Sequence, residues 1–232
     1  MMKDVLILPD IHGRTFWKDA VNHVAEDEHI IFLGDYLDPY PHEGIEPEEA
    51  WDNFLDIIEY ADKHANQVTM LLGNHDMHYV SYLYKKWGLS SRFNTWLEND
   101  FHQLFNDNLS KFCMSWECTW KNQRVLFTHA GVSEGWYKTN QSIIGELTVE
   151  HLNQLLYTDE GIMALAQIGY ERGGNHRYGS IVWADVDEMD YRSIFPNTYQ
   201  IFGHSQQRRS PIITSHWACL DCRMAFRLSE II

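Results

Sequence analysis

Five short apolar runs, each ending on residues able to bind a metal ion, constrain this chain more than any other feature. Val68-Thr69-Met70-Leu71-Leu72 runs straight into Gly73-Asn74-His75-Asp76. A buried strand that stops at a Gly-Asn turn delivers an amide oxygen, an imidazole and a carboxylate to the carboxyl edge of a sheet, where α/β proteins place ligands. The same design recurs elsewhere. Val5-Leu6-Ile7-Leu8 leads to Asp10 and His12, Ile30-Ile31-Phe32-Leu33-Gly34 to Asp35, Val125-Leu126-Phe127-Thr128 to His129, and Tyr199-Gln200-Ile201-Phe202-Gly203 to His204. Taken singly, each reads equally well as a core histidine, a capping aspartate or a plain turn. Five in register imply one common edge.

Between these runs the periodicity is helical. After His12-Gly13 the spacing predicts a helix with Phe16, Ala20, Val21 and Val24 on one face. An irregular loop over 36–46 is closed by Pro47 at a helix's first turn, and Trp51, Phe54, Leu55 and Ile58 give that helix a buried stripe. Strand alternating with helix in this way marks an α/β layered fold. The aromatic-rich stretch 79–112 reads as helical pieces with Gly88 as a stop, its rings used for packing rather than for lining a pocket. A hairpin over 113–128 turns at Lys121-Asn122-Gln123, and further helices begin near Thr148 and Asp159. From 180 onward the chain reads as strands: Ile181-Val182-Trp183, the run ending at His204, 211–215, 219–224 and 226–228, forming a second sheet packed on the first.

With 232 residues a single domain spanning 1–232 is expected. The 33 acidic residues against 18 basic give a net charge of −15, which disfavours an extended nucleic-acid groove. No apolar run approaches the ~18 residues of a membrane span, and the first residues contain no apolar signal segment, so a soluble, cytoplasmic protein with no membrane contact is expected. Cys113, Cys118, Cys219 and Cys222 are expected as thiols rather than disulfides or a zinc knot, because residues three apart on a strand face opposite sides. The loop from Arg172 to Gly179 holds three glycines, two arginines and a histidine, which suits either contact with an anionic substrate or plain solvation.

Asp10-Ile11-His12-Gly13, Gly34-Asp35-Tyr36-Leu37-Asp38, Gly73-Asn74-His75-Asp76, His129-Ala130-Gly131 and Gly203-His204 occur in the order and approximate spacing of the calcineurin-like metallophosphoesterases. The chain most resembles their phosphoprotein-phosphatase-like branch, which includes the symmetrical diadenosine tetraphosphate hydrolases. The resemblance implies an α/β four-layer αββα sandwich, two mixed sheets flanked by helices, with a dinuclear metal site at the strands' carboxyl edges. Carried onto this sequence, it implies that Asp10, His12 and Asp35 hold one metal and Asp35, Asn74, His129 and His204 the second, with Asp35 bridging. It further implies that His75 protonates the leaving oxygen and that Asp38 orients it; an acidic partner is expected to raise the imidazole's pKa. Carboxylates, imidazoles and an amide oxygen without thiolate suit Mn²⁺ first, with Fe or Zn²⁺ as alternatives. Such a pair generates a bridging hydroxide as nucleophile.

Two departures bear on substrate. In the phosphatase-like branch the block ending at Asp38 continues into Arg-Gly, the arginine gripping phosphate, whereas here Pro39-Tyr40 follows. Arg177, Arg172 and Arg208 are the candidates to replace it. Nucleases and diesterases of the superfamily carry Gly-His-x-His, and Gln206 stands in the final position here, which argues for the phosphatase-like side with water completing the first metal's shell. The expected activity is metal-dependent hydrolysis of a phosphomonoester, on a small molecule, nucleotide or phosphoprotein. Dinucleoside polyphosphate hydrolysis or a phosphodiesterase is the alternative within enzymes. A non-catalytic protein-binding scaffold of the same fold is the alternative outside them, and the complete ligand set argues against it.

Overall fold

The computed structural model of the protein describes residues 3–189 and 195–232. Strand β1 (Val5–Leu8) is followed by helix α1 (Phe16–Val21); β2 (His29–Phe32) leads through a long loop to α2 (Pro47–Lys63), and β3 (Val68–Leu71) runs almost directly into α3 (Asn74–Val80). Helices α4 (Tyr82–Gly88) and α5 (Glu98–Asp107) precede a two-residue strand, β4 (Phe112–Cys113). The hairpin β5 (Ser115–Trp120) and β6 (Gln123–Thr128) is succeeded by α6 (Glu134–Ile144), α7 (Val149–Gln154) and α8 (Asp159–Leu165). Then come β7 (Thr198–Phe202), β8 (Ile212–Ile213), β9 (Trp217–Cys219), β10 (Phe226–Arg227) and α9 (Leu228–Ile231).

These strands sort into two five-stranded mixed sheets, β10-β1-β2-β3-β4 and β5-β6-β7-β9-β8. In the first, β1 to β4 are parallel and β10 runs against β1. In the second, β6, β7 and β9 are parallel between antiparallel edge strands. Period-two alternation decides what each face meets. Val5, Ile7, Ile31, Leu33 and Leu71 pack with Val125, Phe127, Tyr199 and Ile201 of the other sheet. Leu6, Leu8, Ile30, Phe32 and Met70 turn the opposite way and join Trp17, Phe54, Ile57 and Ile58 of α1 and α2. With both faces dry, the parallel strands read as unbroken apolar runs, and each buried Leu, Ile or Phe stabilises by roughly 1.5–3 kcal/mol.

Several local expectations hold. Pro47 opens α2, where the Glu46 backbone N–H donates to Glu49 Oε2 at 2.9 Å. Thr148 and Thr158 cap α7 and α8 by accepting from the N–H groups of His151 and Gly161. The hairpin turns on Lys121 and Asn122, both at positive φ (48° and 65°), as a two-residue turn between twisted strands requires. Tyr79, Tyr84, Phe101, Phe105 and Phe112 of the aromatic stretch pack in the core, whereas Tyr82, Trp87 and Trp96 are exposed. All four cysteines are free thiols. No helix among the described residues is long and apolar enough to cross a membrane.

Other expectations are corrected. The buried stripe of α2 is Ala50, Asn53, Phe54, Ile57, Ile58 and Ala61, while Leu55 is 38% exposed. Trp51 stacks instead on Phe101 of α5, with ring centroids 5.3 Å apart, which rotates the face. In and just after helix α1, Val21 is buried and Phe16, Ala20 and Val24 pack half-buried against the core as expected, but Trp17 is buried as well, its Nε1 donating to buried Asn53 Oδ1 at 3.0 Å. Ile181-Val182-Trp183 forms a buried turn, not a strand, docked where Ala130 N donates to Ile181 O at 2.8 Å. Cys113 belongs to β4 of the first sheet rather than to the hairpin, and β10 joins the first sheet rather than the second.

Candidate active site

Residues just beyond β1, β2, β3, β6 and β7 converge: the ligand atoms of His12, Asp35 and His75, and those of Asp35, His129 and His204, lie within 4.8 Å of one another in each group. The backbone is bent to achieve this. Nine described non-glycine residues have positive φ, and five of them are Asp10 (26°), His12 (45°), Asp35 (55°), Asp38 (56°) and His204 (63°). Such conformations persist only where surrounding structure enforces them, and they gather at functional sites. Glycine supplies the remaining room. A Cβ on Gly73 would sit 2.1 Å from Asp35 Oδ1, and one on Gly203 would sit 1.9 Å from Asp10 Oδ2.

Asp35 stands at the centre. Its Oδ2 lies 3.3 Å from His12 Nε2 and 3.5 Å from His129 Nε2, while Oδ1 accepts from the His75 backbone N–H at 2.9 Å. His12 Nδ1 donates to Leu37 O and His129 Nδ1 to Leu33 O, both at 2.8 Å. Those bonds fix the tautomers and leave each Nε2 lone pair facing the cluster. Asn74 Oδ1 and His204 Nδ1 each lie 3.2 Å from His129 Nε2, and His204 Nε2 is buried with no partner among the described residues. Both carboxylate oxygens of Asp10 accept from the His204 backbone N–H at 3.0 Å.

The electrostatics are those of an uncompensated donor set. Burial, then the charges of Asp221 and Asp35, push the Asp10 carboxyl well above the usual range. Burial also acts to raise Asp35, but the His129, His75 and His12 imidazoles outweigh it and hold that carboxyl well below its ordinary value. Burial lowers His129, and burial with the Arg172 charge lowers His204, so both present neutral nitrogen lone pairs. Crowded carboxylates, neutral imidazoles, an amide oxygen and an orphaned Nε2 fit divalent cations well. The two groups sharing Asp35 suit a bridging carboxylate.

Beside this cluster, His75 Nδ1 lies 2.8 Å from Asp38 Oδ2 and 3.0 Å from Ser90 Oγ. Asp38 is itself clamped: the Tyr79 hydroxyl donates to Oδ1 at 2.6 Å, and His78 Nε2 lies 2.9 Å from Oδ2. Burial opposes ionisation of Asp38, yet its bonds to His75 and His78 bring its pKa down to about 2. The expected rise in the His75 pKa does not occur. Burial pushes the imidazole down to about 4, against the opposing pull of Asp35 and Asp38. Asp76, read with Asn74 and His75 as part of one delivered set, serves otherwise: it accepts from the backbone N–H groups of Asp35 (2.7 Å), Gly73 (2.8 Å) and Tyr36 (3.0 Å) and ties the two loops together.

Of the candidate arginines, Arg172 approaches the cluster from behind, paired with Asp185 at 2.8 Å and donating to His204 O and Ser205 Oγ. Arg177 and Arg208 are exposed and touch none of the predicted ligands; Arg177 lies over the Tyr178 ring. The arginine at the site is Arg92, between α4 and α5, which spacing alone does not single out. Its Nε donates to Asp38 O at 3.0 Å, its Nη2 lies 3.1 Å from His75 Nε2 and 3.2 Å from His12 Nε2, and its guanidinium sits 3.7 Å from the Tyr40 ring centroid. Asp221 is a further addition. Two residues past the end of β9, Asp221 is 1% exposed, has an Oδ1 with no partner among the described residues, acts electrostatically on Asp10, and is pushed up to about 6 by burial against the opposing pull of His12 and Arg14. Trp217-Ala218-Cys219-Leu220 followed by Asp221 repeats the pattern of the other strand ends, so the signal was present in a shorter run.

The fold and this site define a class. Residues 3–208 match the family model of the calcineurin-like phosphoesterases, and the chain belongs to that family of metallophosphoesterases. Among solved structures it is similar to a protein serine/threonine phosphatase from Saccharomyces cerevisiae with similarity to human phosphatase PP5, at 13% identity and a TM-score of 0.51, over 94% of this chain and 67% of that one. The phosphopantetheinyl hydrolase PptH of Mycobacterium tuberculosis matches at 12% identity and a TM-score of 0.39, over 94% and 88%. The phosphatase domain of the Legionella effector WipB matches at 13% and 0.36, over 61% and 53%. No curated protein sequence matches the chain.

Proposed function

We propose that the protein hydrolyses phosphomonoesters, with one divalent cation held by Asp10, His12 and Asp35, a second by Asp35, Asn74, His129 and His204, and manganese the preferred metal. The observation that carries this reading is Asp35 Oδ2 set between His12 Nε2 and His129 Nε2 at 3.3 and 3.5 Å. Bound cations supply polarisation of phosphoryl oxygens and an activated water. The chain's own residues do the rest. The carbonyls of Leu37 and Leu33 keep two Nε2 atoms aimed inward. Asp38 holds His75 with Nδ1 protonated and Nε2 turned toward the substrate side. An entering phosphate dianion raises the proton affinity of that imidazole, offsetting the burial that depresses it, so His75 carries a proton to the leaving oxygen when substrate is bound.

The test is hydrolysis of p-nitrophenyl phosphate and bis(p-nitrophenyl) phosphate by manganese-loaded protein, with metal analysis. Metal-dependent release from the monoester, abolished in Asp35→Asn and lost in His75→Ala with metal content retained, is expected. Diester preference would redirect the reading to a phosphodiesterase, and a protein that binds no metal and turns over neither ester would be a scaffold.

A further inference from the structure

We propose that Arg92, laid over Tyr40, is the group that grips the substrate's phosphate, and that this grip selects a monoester dianion; the inference rests on the phosphoesterase reading. Charge accounting points to Arg92 first. Five described arginines are buried or half-buried: Arg14, Arg92, Arg124, Arg172 and Arg227. Arg14 pairs with Glu43, Arg124 with Glu117, Arg172 with Asp185 and Arg227 with Glu28. Among the described residues, no carboxylate lies within ion-pair distance of Arg92. A half-buried guanidinium without a counter-charge, facing imidazole nitrogens rather than carboxylates, is poised for an anion from outside.

Geometry assigns the anion. Nε is spent on Asp38 O and one face of the guanidinium lies 3.7 Å from the Tyr40 ring centroid, which together fix the fork's plane and leave Nη2 with only imidazole nitrogens as partners among the described residues. Nη2 lies 3.1 Å from His75 Nε2 and 3.2 Å from His12 Nε2, between the proton carrier and the metal cluster. A phosphate bound at the cluster therefore meets this edge. The tyrosine that supports Arg92 follows directly on Pro39, so the segment that lacks an arginine instead offers a platform for one reached 53 positions later, from Pro39 to Arg92. A monoester dianion has three non-bridging oxygens and one more negative charge than a diester, which has two. The additional donor is useful only to the former.

The experiment compares Arg92→Ala and Arg92→Lys with the unaltered protein, manganese-loaded, on p-nitrophenyl phosphate and bis(p-nitrophenyl) phosphate. Inorganic phosphate binding is measured by calorimetry and metal content by elemental analysis. For Arg92→Ala, kcat/KM on the monoester is expected to fall about 100-fold, with phosphate affinity falling in step and diester turnover changing by less than about fivefold. The lysine variant keeps the charge but not the fork and recovers part of the loss. Equal losses on both esters with metal retained, or phosphate affinity unmoved by Arg92→Ala, would overturn the assignment. If the unaltered protein cleaves neither ester, the phosphoesterase reading fails on its own, and the phosphate titration still decides the role of Arg92.

Discussion

Replacing Gly203 with alanine places a methyl group where the site has no space for one. The added Cβ would lie 1.9 Å from Asp10 Oδ2 and 3.1 Å from its Cγ, so the two must separate by more than about 1 Å to reach an acceptable contact. Gly203 is not among the positive-φ residues, so the methyl group is the only perturbation. Asp10 cannot swing aside freely, because it is 1% exposed and both its oxygens accept from the His204 N–H. Either that bond breaks or the 203–205 turn moves and carries His204 away from His129. Overpacking of this kind costs about 1–3 kcal/mol, which for a chain this long lowers Tm by roughly 2–12 °C. A ligand displaced by about 1 Å loses about 100-fold in turnover. Thermal unfolding, elemental metal analysis and p-nitrophenyl phosphate hydrolysis are the assays, with Gly44→Ala as control. At Gly44 a Cβ would meet nothing within 4 Å but φ is 66°, so alanine there costs about 1–2 kcal/mol of backbone strain while metal content and turnover stay unchanged, which separates loss of stability from the clash with Asp10. Metal content and turnover within twofold of the unaltered protein in Gly203→Ala would refute the claim that Asp10 is held against this glycine for function.

Three further outcomes are expected. Asp38→Asn removes the acceptor shared by His75, His78 and Tyr79 and should lower kcat about 1000-fold by unlocking the His75 tautomer, with metal content retained; a loss under tenfold would count against an orienting role. Because the folded Asp38 pKa, about 2, lies below its unfolded value, this group contributes on the order of 2 kcal/mol above pH 4 that is lost as pH falls toward 2, and Asp38→Asn should flatten acid unfolding in that window. His29, stacked on Trp116 with centroids 4.4 Å apart and bonded to Thr69, has its pKa lowered to about 4 by burial, so the unfolded chain binds the extra proton between pH 6.5 and 4. Stability should therefore fall as pH drops through that range, by about 1–2 kcal/mol after allowing for partial exposure; denaturant midpoints at pH 7.5 and 5 that shift no less in His29→Phe would exclude this residue as the cause.

Much of the architecture was legible because its signals are local. Strands buried on both faces are apolar over their buried positions, which is why β1, β2 and β3 stand out from the sequence despite His29 and Thr69 at their half-buried ends. Glycines before Asp35, Asn74 and His204 mark where backbone and carboxylate come close, and Gly73 and Gly203 show the reason in contacts near 2 Å. Thr148, Thr158 and Lys121-Asn122 mark helix starts and a turn through chemistry confined to a few neighbours. The stripe of α2 was read one position off, because a helical pattern sharing Phe54 and Ile58 fits two rotations, and stacking of Trp51 on Phe101 chooses between them.

Taken alone, then, the sequence determined that the runs of β1, β2, β3, β6 and β7 are strands and that Asp10, His12, Asp35, Asn74, His129 and His204 follow their ends, although it read Ile181-Val182-Trp183 as a strand as well. Tertiary structure alone decided what surrounds that set. Arg92 meets His12 across 80 positions of chain, from the segment between α4 and α5. Asp221, just past β9, comes close enough to Asp10 and His12 to act on them electrostatically across some two hundred positions of chain. The His75 pKa falls rather than rises, because burial outweighs a carboxylate neighbour visible in the sequence. Periodicity and residue type act over a few residues along the chain, whereas desolvation and approach between distant segments exist only once the chain is packed.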